Sequence, residues 1–422
     1  MRKSVPERKK EKRKKDGIIF KREKEKIIMN PFGQTMTMTG DYRSQHTIIV
    51  DPGKYDVKIY DVKGNNIRYV GSFPSRLKKV LSFHGQEAMA DNVFKVGFNG
   101  MKALVGTGDY STATTKSNYH HQMCIYAAIG LVAEHDEHIN LVVGQPSSDY
   151  ANEDELREYG EVVKGNNLPT PLNGHISIEF EGKTKTFHID DLRIYPEGMA
   201  TFSRLVNGRN AYHIIDLGGK NLNYRFYDVN GTLATSISLD TAGMNHLASK
   251  LEEELRTFIK AGEFDLNAID FEEAIRQRQI PFFDEIPNVG SVENFINFYV
   301  NEFIEKEIEH KLANHLDFHK KGHKIIFTGG GTLLLKSYLE ERYAANHETF
   351  IFSNRARFDN CSSYLLTYVR ELSSENKLDQ EEARKIFNDY GNQINSSEFE
   401  ARRPLPSKKT LSEFDMVINS NA

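Results

Sequence analysis

Two turns in this sequence place an acidic side chain beside glycine directly after an apolar run. Asp51 and Gly53 follow the β-branched run that ends at Val50, and Asp216 and Gly218 follow a second apolar run. Glycine lets the backbone approach a ligand closely, and successive N–H groups in such a turn bind anions. A carboxylate at the same place holds Mg²⁺ directly or through water. The two turns therefore predict a phosphate site in which Asp51 and Asp216 are the metal-binding residues.

Lysines accompany both turns and predict contacts with phosphate oxygens. Lys54 closes the first turn, and Lys58 is expected on the same strand face because strand side chains alternate. Lys220 and Asn221 follow Gly219 in the second turn. Cationic side chains at these positions favour anion binding through charge-assisted hydrogen bonds. They either strengthen phosphate binding or alter the chemistry at the phosphate, and the sequence leaves that choice open.

A third glycine cluster lies between a predicted strand and a predicted helix. Residues 329–331 are glycines, and Thr332 follows them. A helix N-terminus with small residues leaves room for a flat or anionic group. Gly243, which precedes a further predicted helix, is assigned to the same site. The predicted residues of this phosphate site are Gly53, Lys54, Lys58, Gly218, Gly219, Lys220, Asn221, Gly243, Gly329, Gly330, Gly331 and Thr332.

The elements that position these turns repeat along the chain. Each half is predicted to open with a strand, an Asp-x-Gly turn, a second strand and a turn into a third strand. The strands are predicted at residues 47–50, 55–60 and 67–70, and again at 212–215, 222–228 and 233–239. Helices are predicted at residues 119–134, 153–163, 244–261, 333–343 and 360–372, and one more is expected to open at Pro196. This repeat predicts an α/β protein with two similar lobes and a cleft between them.

Taken together, the motifs resemble those of the actin-like superfamily, whose fold is a duplicated ribonuclease H-like unit. Residues 51–54 with Lys58 resemble its first phosphate motif, and residues 214–219 resemble the second. Residues 327–332 resemble the adenosine motif, and residues 141–146 resemble the first connecting segment. The resemblance covers roughly residues 47–372. It implies a two-lobed ATPase fold with ATP and Mg²⁺ in the cleft, with GTP as an alternative nucleotide.

Within that superfamily the sequence most resembles the bacterial plasmid-partitioning actins, the ParM-like group. Pro196-Glu197 stands before the second phosphate motif as in that group, and residues 350–354 and 358–360 resemble its C-terminal pattern. The resemblance implies that Glu197 positions the attacking water, so the predicted catalytic residues are Glu197, Asp216 and Asp51. It also implies a filament homopolymer that segregates plasmid DNA through a DNA-binding adaptor protein, without direct DNA contact by the folded part.

Departures from the family pattern keep two other functions open. Lys220 and Asn221 stand where hydroxyl residues usually follow the glycines, and Asn223 stands where an acid is frequent. One alternative is a binding protein that uses the nucleotide as a switch with little hydrolysis. The other is a small-molecule kinase of the same fold, which would need a catalytic base that the sequence does not offer.

Charge divides the chain into a tail and a folded part. The formal net charge is −4, yet half of residues 1–26 are Lys or Arg. Such a run cannot build a core, so residues 1–45 are predicted to be a disordered basic tail. Residues 46–195 are predicted to form lobe I and residues 196–373 lobe II, with the helix at 360–372 returning to lobe I. Residues 374–422 are predicted to be a polar C-terminal tail.

Composition predicts a cytoplasmic protein without a membrane segment. Hydrophobic residues make up 39% of the chain and charged residues 27%, and no stretch approaches the roughly 18 apolar residues of a span. Cys124 and Cys361 both lie in apolar helical patterns, which argues against disulfides and for a reducing compartment. His315 and His319 have the spacing of a zinc pair, but no Glu completes a metalloprotease motif, so no site is assigned there.

Overall fold

The computed structural model describes most of residues 46–396. The exceptions are residues 85–89, 200–209, 241, 260–268, 282, 287–288, 319–321 and 354. The predicted tail at residues 1–45 and the stretch 397–422 lie outside this description. Within it the chain forms a ten-stranded sheet, a five-stranded sheet and a two-stranded ribbon. The two large sheets are the cores of lobe I and lobe II.

The ten-stranded sheet of lobe I contains one fully buried strand at its centre. Its strands are β1 (His46–Pro52), β2 (Asp56–Lys63), β3 (Asn66–Pro74), β4 (Arg76–Val80), β5 (Phe94–Phe98), β6 (Met101–Val105), β7 (Asp109–Tyr110), β8 (Glu137–Gln145), β9 (His175–Phe180) and β10 (Lys183–Pro196). Their order is β3-β2-β1-β8-β10-β9-β5-β6-β4-β7. β1 pairs antiparallel with β2 and parallel with β8. Burial on both faces explains why β1 is a continuous β-branched run rather than an alternating one.

Helices cover the sheet of lobe I. They are α1 (Tyr119–Val132), α2 (Ser147–Tyr150) and α3 (Glu153–Val163). Asn118 caps α1 by accepting a hydrogen bond from the backbone N–H of His121, and Asn152 caps α3 in the same way. α1 is buried almost along its whole length. The sequence of α1 is accordingly apolar on all sides, as expected for a helix enclosed by its neighbours.

Lobe II repeats the strand arrangement of lobe I around its own central strand. Its strands are β11 (Ala211–Leu217), β12 (Leu222–Tyr227), β13 (Leu233–Leu239), the ribbon strands β14 (Glu285–Ile286) and β15 (Gly290–Ser291), β16 (His323–Thr328) and β17 (Phe350–Phe352). The five-stranded sheet has the order β13-β12-β11-β16-β17. β11 pairs antiparallel with β12 and parallel with β16, as β1 does with β2 and β8. The strand repeat predicted from the sequence is therefore confirmed.

The remaining helices divide between the two lobes. They are α4 (Met244–Phe258), α5 (Phe271–Gln277), α6 (Val292–Phe303) with a π-helical turn at Ile304–His310, α7 (Gly330–Arg342), α8 (Asp359–Ser374) and α9 (Gln380–Ile394). The first four pack with β11 in one apolar cluster. α8 and α9 instead share a cluster with Ile49 and Tyr60 of lobe I. None of the helices in the described ranges has the length and apolarity needed to span a bilayer.

One predicted helix differs from the structure. Pro196 does not open a helix, because β10 continues through it and pairs it with Gln145 of β8. Residues 200–209, where that helix would run, lie outside the description. Of the two histidines with the spacing of a zinc pair, His315 lies in a turn and His319 lies outside the described residues.

Candidate functional site

Two buried carboxylates face one cleft from equivalent positions in the two lobes. Asp51 lies at the end of β1 and Asp216 at the end of β11, and they are 2% and 4% exposed. Asn360, in the first turn of α8, joins them. Its Nδ2 lies 3.4 Å from Asp51 Oδ2 and 3.2 Å from Asp216 Oδ2. The Asn360 side chain therefore bridges the ends of β1 and β11.

The charges and hydrogen bonds of Asp51 and Asp216 are compatible with a cation bound beside them. Burial, together with the charges of Glu197 and Asp51, raises the pKa of Asp216 to about 7, while Asn360 and Lys58 act in the opposite direction. Lys58 Nζ lies 3.3 Å from Asp51 Oδ2. Asp51 Oδ1, in contrast, is buried without a hydrogen-bond partner among the described residues. An unpaired carboxylate oxygen beside a carboxylate that resists ionisation is the environment that a hard divalent ion stabilises.

The first turn is shaped by close backbone packing. A Cβ on Gly53 would lie 2.6 Å from the Asp56 carbonyl and 2.8 Å from Lys58 Nζ, so the position excludes larger residues. Lys54 and Tyr55 also line the cleft. β2 begins only at Asp56, so Lys54 lies outside the strand, and the predicted shared strand face of Lys54 and Lys58 is wrong. Lys58 instead faces Asp51 across the β1–β2 pair.

The second turn is held from behind by the start of α4. The backbone N–H of Met244 donates to the carbonyl of Gly218 at 3.1 Å, and that of Asn245 donates to Gly219 at 2.8 Å. A Cβ on Gly219 would come within 2.5 Å of Tyr55 Cβ, so the two turns touch each other. Gly243 packs behind the turn, where a Cβ would overlap its backbone, and does not line the cleft.

Lys220 crosses from the second turn to lobe I. Its ammonium donates a hydrogen bond to the carbonyl of Ser111, directly after β7. Burial and the nearby charge of Lys54 lower the pKa of Lys220. Lys220 and Asn221 both line the cleft, as predicted. In this structure Lys220 is thus a contact between the lobes, and its ammonium is within reach of an anion in the cleft.

The third glycine cluster passes directly behind Asp216. Gly329 has a φ of 85°, and a Cβ there would overlap Asp216 Oδ1. Gly330 and Gly331 begin α7 and line the cleft. Thr332 is fully buried, and its hydroxyl donates to the carbonyl of Thr328 at 2.5 Å, so it closes the turn and does not face the cleft.

Glu197 follows β10 directly and is buried between the lobes. Its Oε1 accepts a hydrogen bond from Lys116 Nζ at 2.5 Å, and its Oε2 accepts one from Asn223 Nδ2 at 3.2 Å. Lys116 precedes α1 in lobe I, whereas Asn223 lies on β12 in lobe II. The backbone N–H of Glu197 donates to the carbonyl of Gln145 at 2.8 Å. The carboxylate is therefore fixed by residues from both lobes.

The predicted site residues come together with two exceptions. All of them except Gly243 and Thr332 line one cleft. Sequence reasoning missed several residues that line the cleft or hold its residues in place, namely Tyr55, Lys116, Glu272, Arg276, Arg357 and Asn360. Asn360 had a signal, because it lies in the segment 358–360 that resembles the family pattern. Lys116 had none, since a single lysine in a polar loop is ordinarily a surface residue.

Comparison with known proteins supports the same fold. Residues 50–199 match the family model for the N-terminal domain of actin-like proteins. An archaeal actin homologue aligns at 18% identity with a TM-score of 0.57, covering 77% of this chain and 100% of its own. A 15-stranded ParM filament from Clostridium botulinum aligns at 15% identity with a TM-score of 0.58, covering 76% and 98%.

The archaeal homologue is also known in complex with ADP, and that structure aligns at 19% identity with a TM-score of 0.53, covering 75% of this chain and 97% of its own. No curated protein sequence matches this chain. The resemblance to the actin-like superfamily and its ParM-type members is confirmed at the level of the fold. The chain has a two-lobed actin-like α/β fold.

Proposed function

We propose that this actin-like chain binds ATP with Mg²⁺ in the cytoplasm, polymerises into filaments, and segregates plasmid DNA through a DNA-binding adaptor protein. The observation that carries the nucleotide part is the facing pair of Asp51 and Asp216, bridged by Asn360 in a cleft lined by three glycine turns. The adaptor and the plasmid rest on the resemblance to ParM-like proteins and on no residue of this cleft.

The cleft suits a triphosphate at the two Asp-Gly turns. Gly53 and Gly218 line the cleft, where the lack of a Cβ lets a bound phosphate approach the backbone closely, and Lys54 and Lys220 line the same region. The N-terminus of α7 adds the partial positive charge of a helix end beside Gly330. The remainder of a nucleotide would lie along the lobe II wall, which includes Met244, Leu334 and Glu272.

The carboxylates fit a magnesium ion. Asp51 has a buried Oδ1 without a partner among the described residues, and Asp216 Oδ2 accepts a hydrogen bond from the neutral amide of Asn360 at 3.2 Å. Mg²⁺ takes oxygen ligands and in phosphate sites uses one or two carboxylates with water and phosphate oxygens. Asp51 and Asp216 would hold it directly or through water, and the bound ion would offset charge on the phosphates.

Glu197 is the residue proposed to orient the attacking water. It is 7% exposed and lies in the wall of the cleft that contains Asp51 and Asp216. Phosphoryl transfer to water depends mainly on positioning and on electrostatic stabilisation, so a carboxylate with a fixed direction is suited to it. A nucleotide that closes the lobes around this cleft would favour the conformation that assembles.

The test is sedimentation with light scattering of the full chain, with and without Mg-ATP and Mg-GTP. The Glu197→Ala variant is compared with Glu158→Ala, which removes an exposed glutamate on α3. We expect nucleotide-dependent pelleting in both, prolonged in Glu197→Ala because hydrolysis no longer weakens subunit contacts. A chain that stays in the supernatant with every nucleotide would rule out the filament, and the switch or kinase alternatives would then take its place.

A further inference from the structure

A buried lysine contacts the proposed catalytic carboxylate. The Lys116 side chain is 0% exposed, and its Nζ lies 2.5 Å from Glu197 Oε1 and 3.4 Å from the carbonyl of Gly144. Transferring an ammonium group from water into a protein interior is costly unless an anion and hydrogen bonds compensate. The contact with Glu197 therefore compensates the buried charge of Lys116, and the two side chains hold each other in place.

The backbone of Glu197 is fixed as well. Its N–H donates to the carbonyl of Gln145 at 2.8 Å, and its own carbonyl accepts from the Ser147 hydroxyl at 2.8 Å. These contacts come from the end of β8 and the start of α2. With the backbone held on both sides, the direction of the carboxylate depends on the donors at its two oxygens, Lys116 and Asn223.

The other charged groups around Glu197 are mostly acidic. Burial first, and then the charge of Glu197, raise the pKa of Asp216 and that of Asp149, and Asp51 lines the same cleft. Lys58 is directed to Asp51, 3.3 Å away, rather than to Glu197. Without the ammonium of Lys116, the Glu197 carboxylate would lose the donor at Oε1 while these carboxylates repel it, and it would turn away from its present direction.

We propose that Lys116 is a positioning residue for hydrolysis, holding the Glu197 carboxylate in the one direction from which it orients water. This inference rests on the proposed function, since it assigns Lys116 a part in that same reaction. Lys116 acts through Glu197. Its removal is therefore expected to lower turnover and to leave nucleotide binding in place.

The test is a double-mutant cycle on full-length protein, with steady-state ATP hydrolysis and the affinity for a fluorescent ATP analogue as readouts. We expect Lys116→Met to lower kcat about 100-fold, the size of effect that a small misplacement of a catalytic group can have. We expect nucleotide affinity to change by less than about threefold, since only an interaction specific to turnover is lost. In a Glu197→Gln background the same substitution should cost less than about twofold, because residues that act as a unit are not additive.

A control at a partly buried lysine separates this role from the general loss of a lysine that bonds internal carbonyls. Lys185 Nζ donates to the carbonyls of Gly130 and Ala133, at 2.8 Å and 2.7 Å, near the opposite end of α1. Lys185→Met should lower thermal stability and leave kcat unchanged. If Lys116→Met folds poorly, the Lys116→Met/Glu197→Gln double variant removes both charges and should regain stability, because an uncompensated buried ion is the main cost.

The outcomes distinguish the two proposals. Wild-type protein that hydrolyses ATP while Lys116→Met turns over at the same rate would overturn the role of Lys116 alone. An equal loss of kcat from Lys116→Met in the wild-type and the Glu197→Gln backgrounds would also overturn it, since Lys116 would then act independently of Glu197. A wild-type chain that binds ATP and never hydrolyses it would overturn the proposed ATPase, and the role of Lys116 with it.

Discussion

The side-chain amide of Asn223 donates a hydrogen bond to Glu197 Oε2 at 3.2 Å, so a residue of lobe II is bonded to a carboxylate that follows a strand of lobe I. The family pattern that the sequence resembles frequently has an acid at the position of Asn223. Here a neutral donor stands there, and it adds a partner to Glu197 rather than a repelling charge.

Replacing this amide by a carboxylate should weaken the proposed hydrolysis. Asn223→Asp would remove the donor to Glu197 Oε2 and place a like charge beside it, so Glu197 would turn from its present direction. We expect kcat to fall about 100-fold, the size of effect that a small misplacement of a catalytic group can have. Asn230→Asp, in an exposed turn of lobe II, is the control and should leave kcat unchanged. An unchanged kcat in Asn223→Asp would mean that Asn223 does not position Glu197.

Gly329 should tolerate no side chain. It has a φ of 85°, and a Cβ would overlap Asp216 Oδ1. Gly231 has a φ of 79° with nothing within 4 Å, so it carries the same backbone cost without the overlap. We expect Gly231→Ala to destabilise by about 1 kcal/mol and Gly329→Ala by several times that, with nucleotide binding lost. Chemical denaturation measures both, and similar losses would contradict the close approach to Asp216.

The unliganded protein should become less stable as Asp216 is forced to ionise. The pKa of Asp216 is about 7 in the folded chain, above its ordinary value of 3.8. The unfolded chain therefore releases this proton first, and stability falls as pH rises from about 4 to about 7, by at most about 4 kcal/mol. In metal-free buffer the melting temperature of Asp216→Asn should overtake that of wild type across this range. If the melting temperatures of the two proteins differed by the same amount at every pH, the raised pKa of Asp216 would be refuted.

His46 should impose a pH dependence in a different range. Its Nε2 lies 2.8 Å from Asp61, which also pairs with Arg68, and its Nδ1 lies 2.9 Å from Glu137. Burial alone would lower the pKa of His46, but the two carboxylates outweigh it and raise the pKa. The stabilisation is complete below the ordinary value of 6.5 and is lost as pH rises through the folded pKa.

The measurement for His46 is the stability difference between wild type and His46→Gln. We expect wild type to be the more stable near pH 6 and the difference to shrink as pH rises through the folded pKa, since the imidazolium is lost there. His135→Gln, in the loop before β8, is the control. A difference that does not change with pH would show that the pKa of His46 is the same in the folded and the unfolded chain.

The two Asp-x-Gly turns could be predicted because their signals are local. Asp51 and Asp216 each end a run whose apolar, β-branched composition requires a buried central strand, and the glycines that follow meet a backbone requirement of the turn itself. Since both signals depend on neighbours within a few residues, their repetition indicated two lobes and placed most of the cleft residues.

Local patterns misled where pairing between strands decided the outcome. Pro196 followed by Glu197 has the pattern of a helix start, in which proline fixes φ and an acid meets the helix dipole. In the structure Pro196 instead ends β10, because its pairing with β8 continues to Gln145. Gly243 and Thr332 have residue types suited to a ligand loop, yet both support the turns from behind.

The sequence by itself determined the two-lobed duplication and the acidic and glycine residues of the cleft, because strand burial and turn geometry are properties of short segments. The tertiary structure decided which side chains these residues contact. Lys116 reaches Glu197 over 81 positions of the chain, and Asn360 reaches Asp51 over 309. A buried charge is compensated by whatever the packing brings within about 3 Å, and that distance is set by the fold and not by sequence separation.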